Sequence, residues 1–278
     1  MTLAFDFGQN WQDFSDARLD QTRFQSAVAS LDTLIGHANL KGKSFLDVGC
    51  GSGLFSLAAA AAGCARVTGI DVNPKCVQAC TDNGKRLRES VRDAGTLDFR
   101  QGSALDPNFM RGLGTFDVVY AWGSLHHTGA MWDAIRNTAA CVSPNGGVFT
   151  LAIYNTHWSC WGWKQIKRVY NLCPRPLRPM FNWSFAGVIG LAKWLVTRRN
   201  PFHKQRGMDF WYDVIDWLGG YPYEYASAGE IRTFVEALGF KLVRVTPPEA
   251  PTGCNEFVFH AQPRTSTPTA AITASPAM

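Results

Sequence analysis

The sequence predicts an α/β fold: a seven-stranded, mostly parallel sheet with helices on both faces. Three observations predict it. The apolar run Phe45-Leu46-Asp47-Val48 turns through Gly49, Gly51 and Gly53 into an Ala-rich segment. A second strand pattern, Val67-Thr68-Gly69-Ile70, closes on Asp71, 18 residues after Gly53. Strand and helix patterns then alternate along the chain, as β-α-β units require.

The elements follow in order. Aromatic residues Phe5, Phe7 and Trp11 precede a predicted helix over 16–38. Strand one spans 44–48 and its helix 54–62, where Ala favours the helical state. Strand two spans 66–70. Pro74 suits the first turn of the helix over 74–94, since it lacks only an N–H that would be unsatisfied anyway. Strand three covers 97–101, strand four 116–122 and strand five 147–154. Ser227 and Glu230 form a capping-box pattern that starts the last helix, which ends near Leu238-Gly239. Strands six and seven cover 241–246 and 256–261. The Pro/Thr/Ser/Ala-rich tail 263–278 has little to bury and is expected to be disordered. The division is a flap over 1–43, a nucleotide-binding core over 44–154, an insertion over 155–226, the rest of the sheet over 227–262, and the tail.

The glycine run is a nucleotide signature, because glycines let the backbone turn sharply and approach a ligand at a helix N-terminus. A dinucleotide fingerprint needs G-x-G-x-x-G. Here Leu54 holds the place of the third glycine, which comes one residue early at Gly53. Asp47, two residues before Gly49, would repel a pyrophosphate but suits an ammonium and a sulfonium. Asp71 can take two ribose hydroxyls.

The pattern D-x-G-x-G-x-G followed by an acid closing strand two resembles the class I S-adenosylmethionine (SAM)-dependent methyltransferases, a Rossmann-like family. The resemblance covers 44–154 and 227–261. It implies SAM as cofactor, held by Asp47, Gly49, Gly51, Gly53, Asp71 and Val72. It further implies Ser103 and Ala104 at the adenine, where the family more often has Asp than Ser103. Trp122, ending strand four, would face the methionine part and the acceptor, and strand seven would insert antiparallel. His126 and His127 stand where the family often carries a His pair, and either is a candidate general base. Tyr154, the aromatic group Tyr221, Tyr223 and Tyr225, and Asn255 are candidates to line the acceptor site.

The insertion must choose the acceptor. Residues 155–208 contain no Asp or Glu and ten Lys or Arg, a charge of +10. The chain as a whole carries +5, so the remainder carries 5 − 10 = −5. Seven of the ten tryptophans, from Trp158 to Trp217, lie in the insertion. Three readings compete: a lid over an apolar, anionic acceptor, a peripheral contact with a membrane surface, and nucleic-acid binding. Nucleic acid is disfavoured because neither a recognition domain nor a basic tail is added. The apolar stretch 181–197 contains Lys193 and is too short to span a bilayer.

The core is similar to ubiquinone-type O-methyltransferases. With an acyl chain for the tryptophans and a carboxylate for the cations, the chain also resembles bacterial enzymes that esterify 3-hydroxy fatty acids into quorum-sensing methyl esters. The alternatives are methylation of a phenolic or quinol-precursor hydroxyl, with His126 or His127 as base, and a non-catalytic SAM-binding protein at a membrane surface. The start Met1-Thr2-Leu3-Ala4-Phe5-Asp6 lacks a basic, apolar leader. Eight cysteines show neither a C-x-x-C pair nor zinc spacing, which suggests reduced thiols in a cytoplasmic protein and no metal.

Overall fold

The computed structural model describes residues 5–91, 95–198, 210–248 and 250–263. The expectation for the tail falls outside the described residues from 264 on. So do Arg199, Lys204 and Arg206 of the basic segment.

In chain order the elements are α1 (Phe7–Arg18), α2 (Gln21–Ile35), β1 (Ser44–Val48), α3 (Leu54–Ala61), β2 (Arg66–Asp71), α4 (Pro74–Arg86), β3 (Thr96–Gln101) and α5 (Pro107–Gly112). They continue as β4 (Val118–Trp122), α6 (Met131–Ala139), β5 (Val148–Tyr154), α7 (Cys160–Leu172), α8 (Arg178–Thr197), α9 (Phe210–Gly219), α10 (Ala228–Ala237), β6 (Phe240–Thr246) and β7 (Cys254–Ala261). One sheet holds all seven strands in the order β3-β2-β1-β4-β5-β7-β6. β1 to β5 run parallel, and β7 lies antiparallel between β5 and β6. The predicted sheet is the one observed.

Burial on both faces explains why the central strands read as unbroken apolar runs. Val119, Ala121, Phe149 and Leu151 join Met110, Ile135 and Ile231 from α5, α6 and α10. Their neighbours Val118, Tyr120 and Val148 point the other way, toward Phe24 and Leu31 of α2 and Leu57 of α3. β1 sits between β2 and β4, so the winding of the chain reverses there. The crevice at the carboxyl ends of these strands is where such a sheet binds ligands.

The N-terminus differs from the predicted single helix over 16–38. The aromatic segment is itself helical, and α1 ends before Leu19 and Asp20. Asp20 has extended backbone and its carboxylate accepts the Arg23 N–H, so it starts a new helix there. The helix predicted over 74–94 ends at Arg86, and a single 3-10 turn, Arg88–Val91, follows.

Among the described residues the insertion holds three α-helices, α7, α8 and α9, on a closed base. Asn155 bridges to Ala226, and the Ala226 N–H donates to the Tyr154 carbonyl at 3.0 Å. No helix among the described residues is long and apolar enough to cross a membrane. None of the eight cysteines forms a disulfide.

The capping box at α10 is formed: the Ser227 hydroxyl oxygen accepts from the Glu230 N–H, and Glu230 accepts from the Ser227 N–H at 2.8 Å. Ser227→Ala is expected to cost about 1 kcal/mol of stability, read as a lower urea midpoint at unchanged slope. An unchanged midpoint would deny the cap any net contribution.

Candidate functional site

The glycine loop between β1 and α3 is held by its own backbone. The Gly49 and Cys50 N–H groups both donate to the Ile70 carbonyl, at 2.8 and 3.0 Å. Gly49, Gly51 and Gly53 all have left-handed φ, at 77°, 56° and 75°. Two of them are also fixed by close approach. A Cβ on Gly49 would fall 2.3 Å from the Ser124 Cβ, and one on Gly53 would fall 2.9 Å from the Cys80 sulfur on α4. The early third glycine therefore serves close packing of the loop against α4, with the Cys50 and Cys80 sulfurs 3.5 Å apart beneath it.

Asp71 joins two loops. Its carboxylate accepts from the Gly51 N–H at 3.1 Å and the Asn73 N–H at 2.8 Å. Burial raises its pKa despite these bonds. Val72, next to it, is 68% exposed at the mouth of the crevice. A carboxylate for a diol beside an open apolar surface for a base fits the adenosine end of SAM. Asp47 lies deeper. It is buried on the α3 side of the sheet, its carboxylate accepts from the Ser56 hydroxyl at 2.6 Å, and burial pushes it up to about 7, with the Asp71 charge adding to the rise.

The remaining predicted cofactor residues are pinned locally. The Ser103 hydroxyl oxygen accepts from the Leu105 N–H, and the Ala104 carbonyl accepts from Asn137. Trp122 donates its indole N–H to Glu256 at 3.0 Å. The register explains the reach: Trp122 and Glu256 both pair with Ala152, whose small side chain leaves room for the indole to cross. Helix α1 lies over the loop. Trp11 indole atoms sit 3.0–3.1 Å from where a Gly51 Cβ would be. Asn73 donates to Asp6 at 3.0 Å, and Asn10 donates to Asp216 of α9 at 2.7 Å.

His126, His127 and Tyr154 come together at the ends of β4 and β5. His126 is 4.4 Å from His127 and 4.2 Å from Tyr154, ring centre to ring centre. Tyr223 joins at 5.1 Å from Tyr154. His127 sets Nδ1 against the Pro222 carbonyl at 2.7 Å, while His126 Nδ1 is buried without a partner. Burial drives both imidazoles toward the neutral form, helped for His126 by His127 and for both by Lys167. His127 falls to about 3, and His126 lies well below its usual value. Tyr154 is raised well above the ordinary phenol range, chiefly by burial.

Sequence reasoning counted Lys167 only as one of the ten cations of the insertion, and the structure sets it apart. Lys167 is fully buried. Its ammonium donates to the Trp217 carbonyl and lies 4.8–5.4 Å from the ring centres of Tyr223, Trp217 and Tyr154. Burial lowers it to about 7, and burial raises Asp216 to about 7. A signal for Lys167 existed: Trp163, Lys167 and Tyr170 recur at i, i+4 and i+7, which places the cation on the inward stripe of α7. Asp216 and Asn10, which meet across the fold, carried no such pattern. Asn255 stands outside the cluster and donates to the Asn155 side chain at 2.9 Å, bracing the base of the insertion. Glu224 likewise accepts from the Met131 N–H at the start of α6. Among the described residues no His, Cys, Asp and Glu group could hold a metal ion.

The comparisons bear on the family and the fold. The profile of a family described as "Methyltransferase domain" matches residues 19–245. The chain is 26% identical over 200 residues to an rRNA N(6)-adenosine-methyltransferase of Caenorhabditis elegans, covering 70% of this chain and 84% of that protein. It is 35% identical over 113 residues to a ubiquinone biosynthesis O-methyltransferase of Burkholderia multivorans, covering 41% and 45% of the two chains. Of that second relative the match thus spans under half. The magnesium protoporphyrin IX methyltransferase of Synechocystis, solved with bound SAH, superposes with a TM-score of 0.55 at 16% identity, over 91% of this chain and 94% of that one. At that identity the likeness is one of fold.

The buried ionisable groups set a pH dependence of stability. Asp47 and Asp216, raised from 3.8 to about 7, make the folded chain bind extra protons between those values. Their contribution is fully present below about pH 4 and is lost as pH rises through about 7. Lys167, lowered from 10.5 to about 7, acts in the opposite sense. Its contribution is present above its unfolded value and is lost as pH falls through about 7. These three groups alone place a minimum of stability near pH 7. Asp216→Asn should flatten the decline between pH 5 and 6.5 by about 1.4 kcal/mol per pH unit, measured by urea unfolding. A slope equal to the wild type would contradict the assignment.

Proposed function

The chain belongs to the methyltransferase-domain family, and from that premise we propose that its acceptor is the carboxylate of an amphipathic acid, a 3-hydroxy fatty acid being the favoured case. As a SAM-dependent methyltransferase it draws on a methyl group made electrophilic by the sulfonium that carries it. In the reaction proposed, a bond forms between a carboxylate oxygen and that methyl carbon. The carbon–sulfur bond breaks, and its electron pair neutralises the sulfonium. No proton has to be removed, because a carboxylate is already ionised at pH 7.

The observation that carries this reading is Lys167, the one buried cation among the described residues, at the carboxyl ends of β4 and β5 beside two histidines held neutral. A base works best with a pKa near the working pH, and His127 at about 3 is far from it. An anionic head needs instead a cation to fix its direction, and alignment of this kind supplies about 7–11 kcal/mol of barrier reduction in favourable cases. Tyr154, Tyr223 and Trp217 around the ammonium give the apolar walls, and water is excluded with them. Because Lys167 is fully buried, the acceptor head reaches it only when the surrounding helices part.

A second reading takes a hydroxyl acceptor; the Burkholderia relative is named an O-methyltransferase of ubiquinone biosynthesis. Asp216, raised to about 7, is then the group in the right range to take the proton, in place of His126 or His127.

The test is incubation with methyl-labelled SAM and either 3-hydroxypalmitate or a catechol. Label released by mild alkali marks an ester, and label retained marks an ether and rejects the carboxylate reading. Lys167→Met is expected to lower kcat/KM for the fatty acid about 100-fold while SAM affinity stays within about twofold. His126→Asn and His127→Asn should each keep most of the turnover if no base is used. Asp71→Ala should weaken SAM binding about 10- to 100-fold in calorimetry, through loss of charge-assisted hydrogen bonds. Unchanged affinity would remove Asp71 from the site.

A further inference from the structure

Helix α8 is apolar on both sides. Its inner face, through Phe181, Phe185, Ala186 and Ile189, packs on Tyr170, Phe210, Val214 and Leu218. Its outer face carries Met180, Trp183, Val188, Leu191, Trp194 and Leu195, each between 47% and 71% exposed. These positions follow the helical repeat, so they form one stripe along the 20-residue helix. A helix that is apolar all round is normally buried all round. Exposed apolar surface of this extent on a single face marks an interaction site.

Helix α7 adds a second stripe. Trp161, Lys164, Arg168 and Leu172 are exposed and spaced three, four and four residues apart. Trp158, 88% exposed, precedes it. Arg175 is exposed just before α8, and Arg198, whose guanidinium stacks over Trp194 at 5.7 Å, stands at its end.

We infer that the outer faces of α7 and α8 dock on an anionic lipid bilayer surface. The charge and the shape of the stripe choose this partner over the others. With Lys164, Arg168, Arg175 and Arg198 exposed and no Asp or Glu in the sequence from 155 to 208, two copies meeting through this face would set like charge against like charge. Single-stranded nucleic acid uses cations and flat rings, but it offers nothing to Met180, Val188, Leu191 and Leu195. A bilayer satisfies all three residue classes at once. Aliphatic side chains enter the acyl boundary, indole rings sit at headgroup depth, and Lys and Arg reach lipid phosphates. Since no described helix can cross a membrane, α8 lies in the interface plane. The inference is independent of which acceptor is methylated.

The test is co-sedimentation of the full chain with vesicles of equimolar phosphatidylcholine and phosphatidylglycerol, against phosphatidylcholine alone. The chain should sediment with the anionic vesicles, and high salt should weaken the binding. Val188→Glu/Leu191→Glu, two exposed positions outside the site described above, should weaken it at least about tenfold with melting temperature and SAM affinity unchanged. In the unmodified chain, brominated acyl chains should quench tryptophan fluorescence, a readout that needs no variant. The inference is overturned if neither vesicle binds, or if the double variant binds as well as the wild type. It is equally overturned if ultracentrifugation shows a dimer that the double variant dissociates, or if single-stranded RNA binds, while vesicles do not.

Discussion

The contact between Gly49 and Ser124 is the constraint on which the site depends. A missing side chain at Gly49 lets Ser124 come close enough for its hydroxyl to donate to the Val48 carbonyl at 2.6 Å. That bond ties the glycine loop after β1 to the loop after β4. One loop carries the cofactor signature, and the other leads in two residues to His126. The glycine loop and the loop that carries the histidines are therefore held together by backbone and one hydroxyl, at the point where the sheet reverses its winding. Any larger residue at Gly49 would push the two loops apart.

Around that junction the fold accepts groups that do not favour stability. Lys167 and His126 are buried polar side chains and Asp216 is half-buried, and His126 Nδ1 has no partner. Burial of ionisable groups is costly unless they are well paired, and it is retained mostly where function needs it. The Asn10–Asp216 bond links this cluster to α1, which also covers the glycine loop through Trp11. One helix thus touches both halves of the site, so a movement of α1 alters both together.

The insertion shows a division of labour between its inner and outer faces. Its base is closed by Asn155, Ala226 and Asn255, so three helices can vary without disturbing the sheet. Its inward residues supply the cation and the rings next to the histidines. Its outward residues are apolar and aromatic with cations between them, an arrangement that a water-facing surface alone does not explain.

Much of this was legible in the sequence because it rests on short-range patterns. Alternation of strand and helix patterns along the chain marked the sheet, Asp47 to Gly53 with Asp71 marked the nucleotide loop, and Ser227 with Glu230 marked a helix start. Each depends on residues a few positions apart, where φ angles and side-chain periodicity decide the outcome locally. The break at Asp20 was missed because a capping aspartate inside an otherwise helical pattern competes weakly with propensity. The depth of Lys167, its neighbours Trp217 and Tyr223, and the bond from Asn10 to Asp216 were decided only by the tertiary structure. Asn10 and Asp216 lie 206 residues apart, and no local rule relates them. A cation's chemistry depends on what surrounds it, because burial removes the water that holds its charge. The sequence determined that a methyl donor could be held, and the packing of distant segments decided which cation would be buried beside the histidines.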